Sequence, residues 1–116
     1  MKRDAQVYLV DIKDSIFKIE EYTQKISQAD FFDDTKIQDA VMRRITIIGE
    51  AIKHIPDEFR VQHPDIPWHD IAGMRDKLIH EYSGIKLGRV WDVIENDLPV
   101  FKRQVESLLK EFPSEK

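Results

Sequence analysis

Apolar residues recur every three or four positions through most of this chain, which is the spacing of amphipathic helices. The first run predicts a helix over about residues 3–28. Its apolar stripe consists of Ala5, Tyr8, Ile12, Ile16, Ile19 and Ile26. The polar stretch SQADFFDDT then predicts a break, after which the carboxylate of Asp33 or Asp34 caps the next helix.

The second run predicts a helix over residues 35–54 that Pro56 ends. Its buried stripe consists of Ile37, Val41, Ile45, Ile48, Ile52 and Ile55. Gly49 lies inside this helix, where glycine costs about 1 kcal/mol relative to alanine, so we expect another element to approach closely there. One short helical piece is predicted over residues 57–62.

Two more helices complete the pattern. The third should begin at Pro67 and end near Gly84, with Ile71, Met74, Leu78 and Tyr82 as its apolar stripe. The fourth has apolar residues at alternating steps of four and three: Leu87, Trp91, Ile94, Leu98, Phe101, Val105, Leu108 and Phe112. Pro99 lies within it and should bend it, because the ring removes one backbone hydrogen bond.

No segment shows the two-residue alternation of a strand, so the predicted fold class is all-α. We expect one domain over residues 1–116: an up-and-down four-helix bundle with a short extra helix between helices two and three. Several apolar residues lie off the buried stripes of the first two helices and predict a possible dimer seam. These are Val7, Val10, Phe17, Met42 and Ile47.

Composition narrows the functional classes. The chain has no cysteine, which excludes a disulfide framework and thiol catalysis. No apolar run approaches the roughly 20 residues of a membrane span, and the N-terminus turns acidic too early for a signal peptide, so we expect a cytoplasmic protein with no membrane association. The net charge of −4 argues against a general nucleic-acid coat but permits a local basic site. His54, His63 and His69 match no familiar ligand spacing, so no metal and no cofactor are expected.

The stretch MRDKLIHEY, residues 74–82, carries the candidate chemistry. On a continuous helix Asp76 and His80 are neighbours at i and i+4, where the carboxylate would raise the pKa of His80 above its usual value of about 6.5. Arg75 and His80, however, would lie about 140° apart on such a helix. Two arrangements therefore remain open: the helix distorts near His80, or two copies of the motif complete one site across a dimer axis.

These residue types suit the cleavage of RNA without a metal. A histidine of near-neutral pKa can take the proton of a ribose 2′-hydroxyl or protonate the leaving oxygen, and an arginine can stabilise charge on the phosphate. Acid and base roles need two imidazoles, which a dimer supplies. Lys77, Lys86 and Arg89 are candidate RNA contacts. Arg43 and Arg44 can reach RNA or form dimer salt bridges, and the sequence does not choose.

The spacing of Arg75, His80 and Tyr82 resembles the Arg-x4-His-x-Tyr motif of HEPN-domain proteins of the HepT-like ribonuclease toxin family. The surroundings agree, namely RITIIGEAIKHIP before the motif and HPDIPWHDIAGMRDKLIHEYSGIKLGRVWDVIENDLP around it. The resemblance covers most of the chain, from about Asp4 to Leu109. Two positions depart from the family pattern: Asp76, where the family often has Asn, and Lys86, where an acidic residue is frequent.

The resemblance implies a homodimeric ribonuclease toxin whose partner is a minimal nucleotidyltransferase antitoxin. Carried over by residue, Arg75 and His80 are catalytic, Asp76 supports them, and Tyr82 is the residue to which the antitoxin attaches AMP. The bulky phosphate on Tyr82 would block the site and repel RNA. The alternative is a HEPN-like module that binds a nucleotide or its partner without cutting RNA, and a third reading is a purely structural helical adaptor.

Overall fold

The computed structural model describes residues 2–80 and 84–112, apart from the side chains of Lys2, Arg3 and His80. The described chain is helical almost throughout, which confirms the predicted all-α class. In chain order its elements are α1 (Lys2–Thr23), α2 (Gln28–Asp33), α3 (Thr35–His54), α4 (Asp57–Val61), α5 (Trp68–Ala72), α6 (Met74–Leu78), β1 (Ile79–His80), β2 (Gly84–Ile85), α7 (Leu87–Asp92), a π-helix (Val93–Asp97) and α8 (Leu98–Leu109). The long helix α1 packs against both α3 and α8, and α3 also contacts α5 and α6.

The first helix is shorter than predicted, and the stretch expected to break it forms a helix of its own. α1 ends at Thr23, whereas α2 begins after a capping box in which Ser27 and Asp30 exchange side-chain-to-backbone hydrogen bonds of 3.1 Å. Phe31 is fully buried on α2 and lies 5.4 Å from the ring of Trp91. Burial of this aromatic side chain and the capping box explain why a polar-looking stretch is helical.

The second predicted helix is confirmed as α3, with the predicted bounds. Asp34 is its N-cap, since its Oδ1 accepts the backbone N–H of Ile37 at 3.2 Å. The expected close approach at Gly49 is also confirmed: a Cβ at this position would lie 2.9 Å from the carbonyl oxygen of Ala72. Only glycine therefore allows α5 to pack this closely on α3. The short piece after Pro56 is present as α4.

The prediction of a single third helix is wrong. This helix is interrupted at Gly73 into α5 and α6, and it ends at Leu78 because Ile79 takes an extended conformation (φ −113°, ψ 128°). The chain then forms an antiparallel hairpin, β1 with β2, in which Ile79 is opposite Ile85. Isoleucine is β-branched and favours such extended pairing.

The hairpin also changes the role expected of Gly84. Rather than ending a helix, Gly84 lies in β2 opposite His80, with a positive φ of 89° that favours glycine. The backbone N–H of Lys86 donates to the carbonyl of Leu78 at 2.8 Å, which ties the end of the hairpin to the end of α6. Tyr82, predicted on the helix stripe, lies outside the described residues.

The fourth predicted helix contains a π-helical distortion just before Pro99. Residues Val93–Asp97 form a π-helix, in which the N–H of Leu98 donates to the carbonyl of Val93, five residues back. Pro99 has no N–H and its ring would clash with the carbonyl of Glu95 in a continuous α-helix, so the wider π turn accommodates it. Pro99 then occupies the first turn of α8, where no intrahelical N–H bond is required.

The surface of α1 retains part of the predicted seam. Val7 and Phe17 are 54% and 55% exposed, and Val10 is also exposed. Met42 was wrongly included, because it is 7% exposed and belongs to the core, and Ile47 is half-buried. Within residues 2–80 and 84–112, no helix combines the length and apolar character that crossing a membrane requires.

Candidate active site

Arg75 and Asp76 lie at the mouth of an open groove between α3 and α6, here called the Arg75 groove. Its lining residues are Ile45, Thr46, Gly49, Glu50, Lys53, Ala72, Arg75 and Asp76, and its volume is about 360 Å³. The side chain of Arg75 is 51% exposed and that of Asp76 is 86% exposed. Arg75 Nη1 lies 3.6 Å from Asp76 Oδ1, so the two adjacent residues form a loose surface ion pair. Among the described residues Asp76 is the one ion-pair partner of the exposed guanidinium, whose five N–H groups can also meet a phosphate from solvent.

Local packing explains why this groove exists. Helical spacing brings Thr46, Glu50 and Lys53 to one face of α3, because residues three and four apart are neighbours on a helix. The missing Cβ of Gly49 admits the backbone of Ala72, and α6 begins two residues later. The Arg75 groove is therefore the space left beside a close helix contact.

His80 is not on the helix that carries Arg75. Because α6 ends at Leu78, the predicted i and i+4 helical contact between Asp76 and His80 is wrong. The backbone of His80 lies in β1, where its Cα is opposite that of Gly84. The end of α6 agrees with one of the two arrangements left open by the sequence, a distortion of the helix near His80. The side chain of His80 is outside the described part, so its convergence with Arg75 stays a prediction.

The predicted RNA contacts do not share the groove of Arg75. Lys77 and Arg89 line a second groove, also of about 360 Å³, whose other lining residues are Asp70, Met74, Leu78, Asp92, Val93 and Asp97. Lys77 Nζ lies 3.9 Å from Asp70 Oδ1, so a carboxylate already faces this cation. Lys77 is two residues after Arg75 and so points to a different side of α6. Lys86 is half-buried before α7. Their contact with RNA stays a prediction.

Comparison with known proteins identifies the family. The family model described as "Ribonuclease HepT-like" matches residues 12–108, a range that includes the whole Arg75–Tyr82 motif. The chain belongs to the HepT-like ribonuclease family. This confirms the resemblance drawn from the motif and its surroundings. No solved structure matches the chain at a significant level.

Three relatives of the HepT-like chain illustrate its similarity. "Probable ribonuclease HepT" of Thermococcus cleftensis is 47% identical over 110 residues, which are 95% of this chain and 100% of that protein. "Gamma-glutamylcyclotransferase and putative RNase" of Methanocaldococcus jannaschii is 46% identical over 116 residues, 100% of this chain and 52% of that protein. The chain thus spans about half the length of that relative. "Putative RNase" of Caldanaerobacter subterraneus is 44% identical over 90 residues, 78% of this chain and 80% of that protein.

Sequence reasoning missed two charged residues that line the Arg75 groove of the HepT-like chain, Glu50 and Lys53. Both are exposed on α3 and line the Arg75 groove, although they are more than 20 positions away from Arg75 in the chain. The available signal was their position beside Gly49, where a close helix contact was expected. That signal indicates that a second element lies next to them but does not say which one.

The remaining histidines of the HepT-like chain have ordinary surroundings. His54 is the last residue of α3, as expected for a group that favours the negative end of a helix, and its ring stacks on Tyr8 with centroids 5.3 Å apart. His63 packs on the ring of Phe59 at 4.8 Å. His69 is exposed on α5. Among the residues searched in the described chain, no three His, Asp or Glu side chains form a group that could hold a metal ion.

Proposed function

We propose that this chain is a metal-independent endoribonuclease that acts as a toxin in the cytoplasm, with Arg75 and His80 as its catalytic pair. The observation that carries the proposal is the position of Arg75, half-exposed at the mouth of a groove and one helical turn before the strand that carries His80. The names of the relatives support the same activity, since two of them match over nearly the whole of this chain and include the word ribonuclease or RNase.

The reaction needs only proton transfer and charge stabilisation. One imidazole takes the proton of the ribose 2′-hydroxyl, and the 2′-oxygen forms a bond to phosphorus while the bond to the 5′-oxygen breaks. A second imidazole gives a proton to the leaving 5′-oxygen. The products are a 2′,3′-cyclic phosphate and a 5′-hydroxyl. Arg75 stabilises the negative charge that grows on the phosphate oxygens, and Asp76 restrains the guanidinium.

A homodimer supplies the second imidazole in this proposal. The exposed Val7, Val10 and Phe17 on α1 offer an apolar surface for a second copy of the chain. A twofold axis brings the same motif from both chains to one cleft, which fits a reaction that needs two histidines.

The proposed partner is a nucleotidyltransferase antitoxin that transfers AMP from ATP to Tyr82. The phenolic oxygen forms a bond to the α-phosphorus of ATP, and pyrophosphate leaves. A phosphodiester on Tyr82 adds negative charge and bulk seven residues after Arg75, which would repel the phosphates of RNA. Mass spectrometry after co-expression with such an antitoxin should detect one or more AMP units on Tyr82.

The test of the nuclease is cleavage of single-stranded RNA by purified protein in excess EDTA. His80→Ala should lower the rate by about 10²- to 10⁴-fold, because it removes general acid–base catalysis. Arg75→Ala should lower it by roughly 10²- to 10³-fold. His69→Ala and Arg103→Ala are matched controls, because both residues are exposed and line neither the Arg75 groove nor the second groove that Lys77 and Arg89 line. Normal cleavage by folded His80→Ala protein would refute the assignment.

One observation favours the second candidate, a HEPN-like module that binds a nucleotide or its protein partner without cutting RNA. Asp76 lies 3.6 Å from Arg75 and offsets part of the charge that a phosphate would meet. The two candidates differ in the products of the same assay. Binding of RNA without a cyclic phosphate product, in a wild-type dimer, would establish the non-catalytic module.

A further inference from the structure

The Arg75 groove has a second groove next to it on α3. A neighbouring groove of about 450 Å³ runs between α1 and α3 and is lined by Tyr8, Asp11, Ile47, Glu50, Ala51, Lys53 and His54. Glu50 and Lys53 line both grooves, so the two grooves lie on either side of these side chains on one exposed face of α3. From Thr46 to His54 this face is roughly 12 Å long, at about 1.5 Å per helical residue. We call the combined surface, from Arg75 through Glu50 and Lys53 to Tyr8 and His54, the α3 trough.

The far end of the α3 trough has an aromatic surface. The rings of Tyr8 and His54 are stacked, with centroids 5.3 Å apart and planes inclined by 19°. Tyr8 is half-buried and holds one face of the imidazole, whereas His54 is exposed. Unpaired bases of RNA stack on aromatic side chains of this kind, and such stacking tolerates any base.

Between the two ends lies a cation, Lys53. Its side chain is exposed, and within the described chain it makes no ion pair. Arg75 and Lys53 therefore give the trough two cations that phosphates can meet in succession. Along the trough the Arg75 guanidinium comes first, then the Lys53 ammonium group, then the stacked rings. This spatial order suits RNA that places a backbone phosphate at each cation and a base on the rings.

Three carboxylates also line the α3 trough, Asp11, Glu50 and Asp76. They disfavour phosphate beside them, but carboxylates accept hydrogen bonds from the exocyclic amino groups of bases. Their presence is therefore compatible with base edges and not with a duplex, whose backbones would carry phosphates across the whole surface. The ligand class that these groups fit is single-stranded RNA.

We propose that the α3 trough binds the single-stranded RNA next to the cleaved bond, with one base stacked on His54 and a phosphate paired with Lys53. This rests on the proposed function for its biological meaning, but the binding is measurable by itself. His54 and Lys53 are then positioning residues, since they hold substrate roughly one or two nucleotides away from the reacting phosphate.

Binding is tested by fluorescence anisotropy with a labelled eight-nucleotide RNA and the full chain. His54→Ala and Lys53→Ala should each weaken binding by about fivefold or more, and His54→Phe should restore it because a phenyl ring also stacks. Lys36→Ala is the control for Lys53, since Lys36 is exposed at the other end of α3, roughly 25 Å away by helix rise. His69→Ala is the control for His54. Unchanged affinity in both His54→Ala and Lys53→Ala would overturn the proposal.

Cleavage kinetics separate this proposal from the proposed function. On an eight-nucleotide substrate His54→Ala should raise KM with little change in kcat, whereas on a dinucleotide, too short to reach His54, it should match wild type. If the wild-type chain binds RNA through His54 but cleaves none, the proposed nuclease activity is refuted, whereas the proposed RNA binding by the α3 trough stands. Sedimentation compares the oligomeric state of wild type and His54→Ala. If wild type is a dimer and His54→Ala is a monomer, the trough belongs to the subunit interface and the proposal is overturned.

Discussion

α3 and the segment from Trp68 to Ile85 are similar in length and lie against each other, yet they are built differently. α3 is one uninterrupted helix of 20 residues with caps at both ends. The described residues of the segment beside it form two five-residue helices and two antiparallel two-residue strands. The motif residues that can be placed, Arg75, Asp76 and the backbone of His80, all belong to this broken segment. The difference teaches that a regular helix provides the wall of the candidate site, whereas an irregular segment carries the candidate catalytic residues.

The largest effect is expected where these two regions touch. Gly49→Ala places a Cβ 2.9 Å from the carbonyl oxygen of Ala72, a backbone atom that can move only with α5. We expect the free energy of unfolding in urea to fall by about 1–3 kcal/mol, despite the better helix propensity of alanine. Gly88→Ala is the matched control, because among residues 2–80 and 84–112 no neighbouring heavy atom lies within 4 Å of the position that a Cβ at Gly88 would take.

The control should stay near wild type or gain up to about 1 kcal/mol, since alanine favours the helix and restricts the unfolded chain. Equal stability changes in Gly49→Ala and Gly88→Ala would show that α5 packs on α3 loosely. Such a result would contradict the view that α3 is a rigid wall against which the segment from Trp68 to Ile85 packs tightly.

A smaller effect is expected in the hairpin itself. Gly84 has a φ of 89°, and no described residue lies within 4 Å of the position that a Cβ would take there, so Gly84→Ala adds backbone strain of about 1–2 kcal/mol without a clash in the described part of the chain. Gly84→Asn should recover part of the loss, because asparagine tolerates positive φ better than alanine. Gly73→Ala serves as the control, since its φ is −91° and its nearest contact is an ordinary 3.6 Å. Thermal unfolding measures all three variants.

The hairpin prediction also bears on function. His80 is paired with Gly84, so a distorted hairpin should lower RNA cleavage by more than the loss of stability accounts for at a temperature where the chain stays folded. Full activity in folded Gly84→Ala would contradict the view that the hairpin positions His80.

The same comparison explains what the sequence predicts and what it leaves out. The bounds of α3 follow from local signals, the carboxylate of Asp34 and the ring of Pro56, which act within a few residues. In the next segment Ile71, Met74 and Leu78 are all buried, as predicted, because two short helices in succession preserve the same apolar spacing. The apolar pattern therefore cannot distinguish one helix from two.

The feature that ends α6 is not local. The carbonyl of Leu78 accepts the N–H of Lys86, eight residues later, so the hairpin competes with the helix through a contact that apolar periodicity does not report. The residues of the candidate site also fall into two groups, those that local sequence identifies and those that only tertiary packing brings in. Arg75 and Asp76 were identified from their neighbours in the chain, whereas Glu50 and Lys53 join them only through the packing of α3 on α6.

The smallest stability effect is expected at Asp76, where a change in RNA binding is also expected. Its ion pair with Arg75 spans 3.6 Å between side chains that are 86% and 51% exposed, so Asp76→Asn should change the free energy of unfolding by no more than about 0.5 kcal/mol. Removing this charge beside Arg75 should tighten the binding of single-stranded RNA by about two- to fivefold at low salt, and by less at physiological salt because of screening. Asp65→Asn makes the same change of net charge in an exposed loop outside the α3 trough. If both variants tighten binding equally, the gain reflects overall charge, and Asp76 does not restrain a guanidinium that meets phosphate.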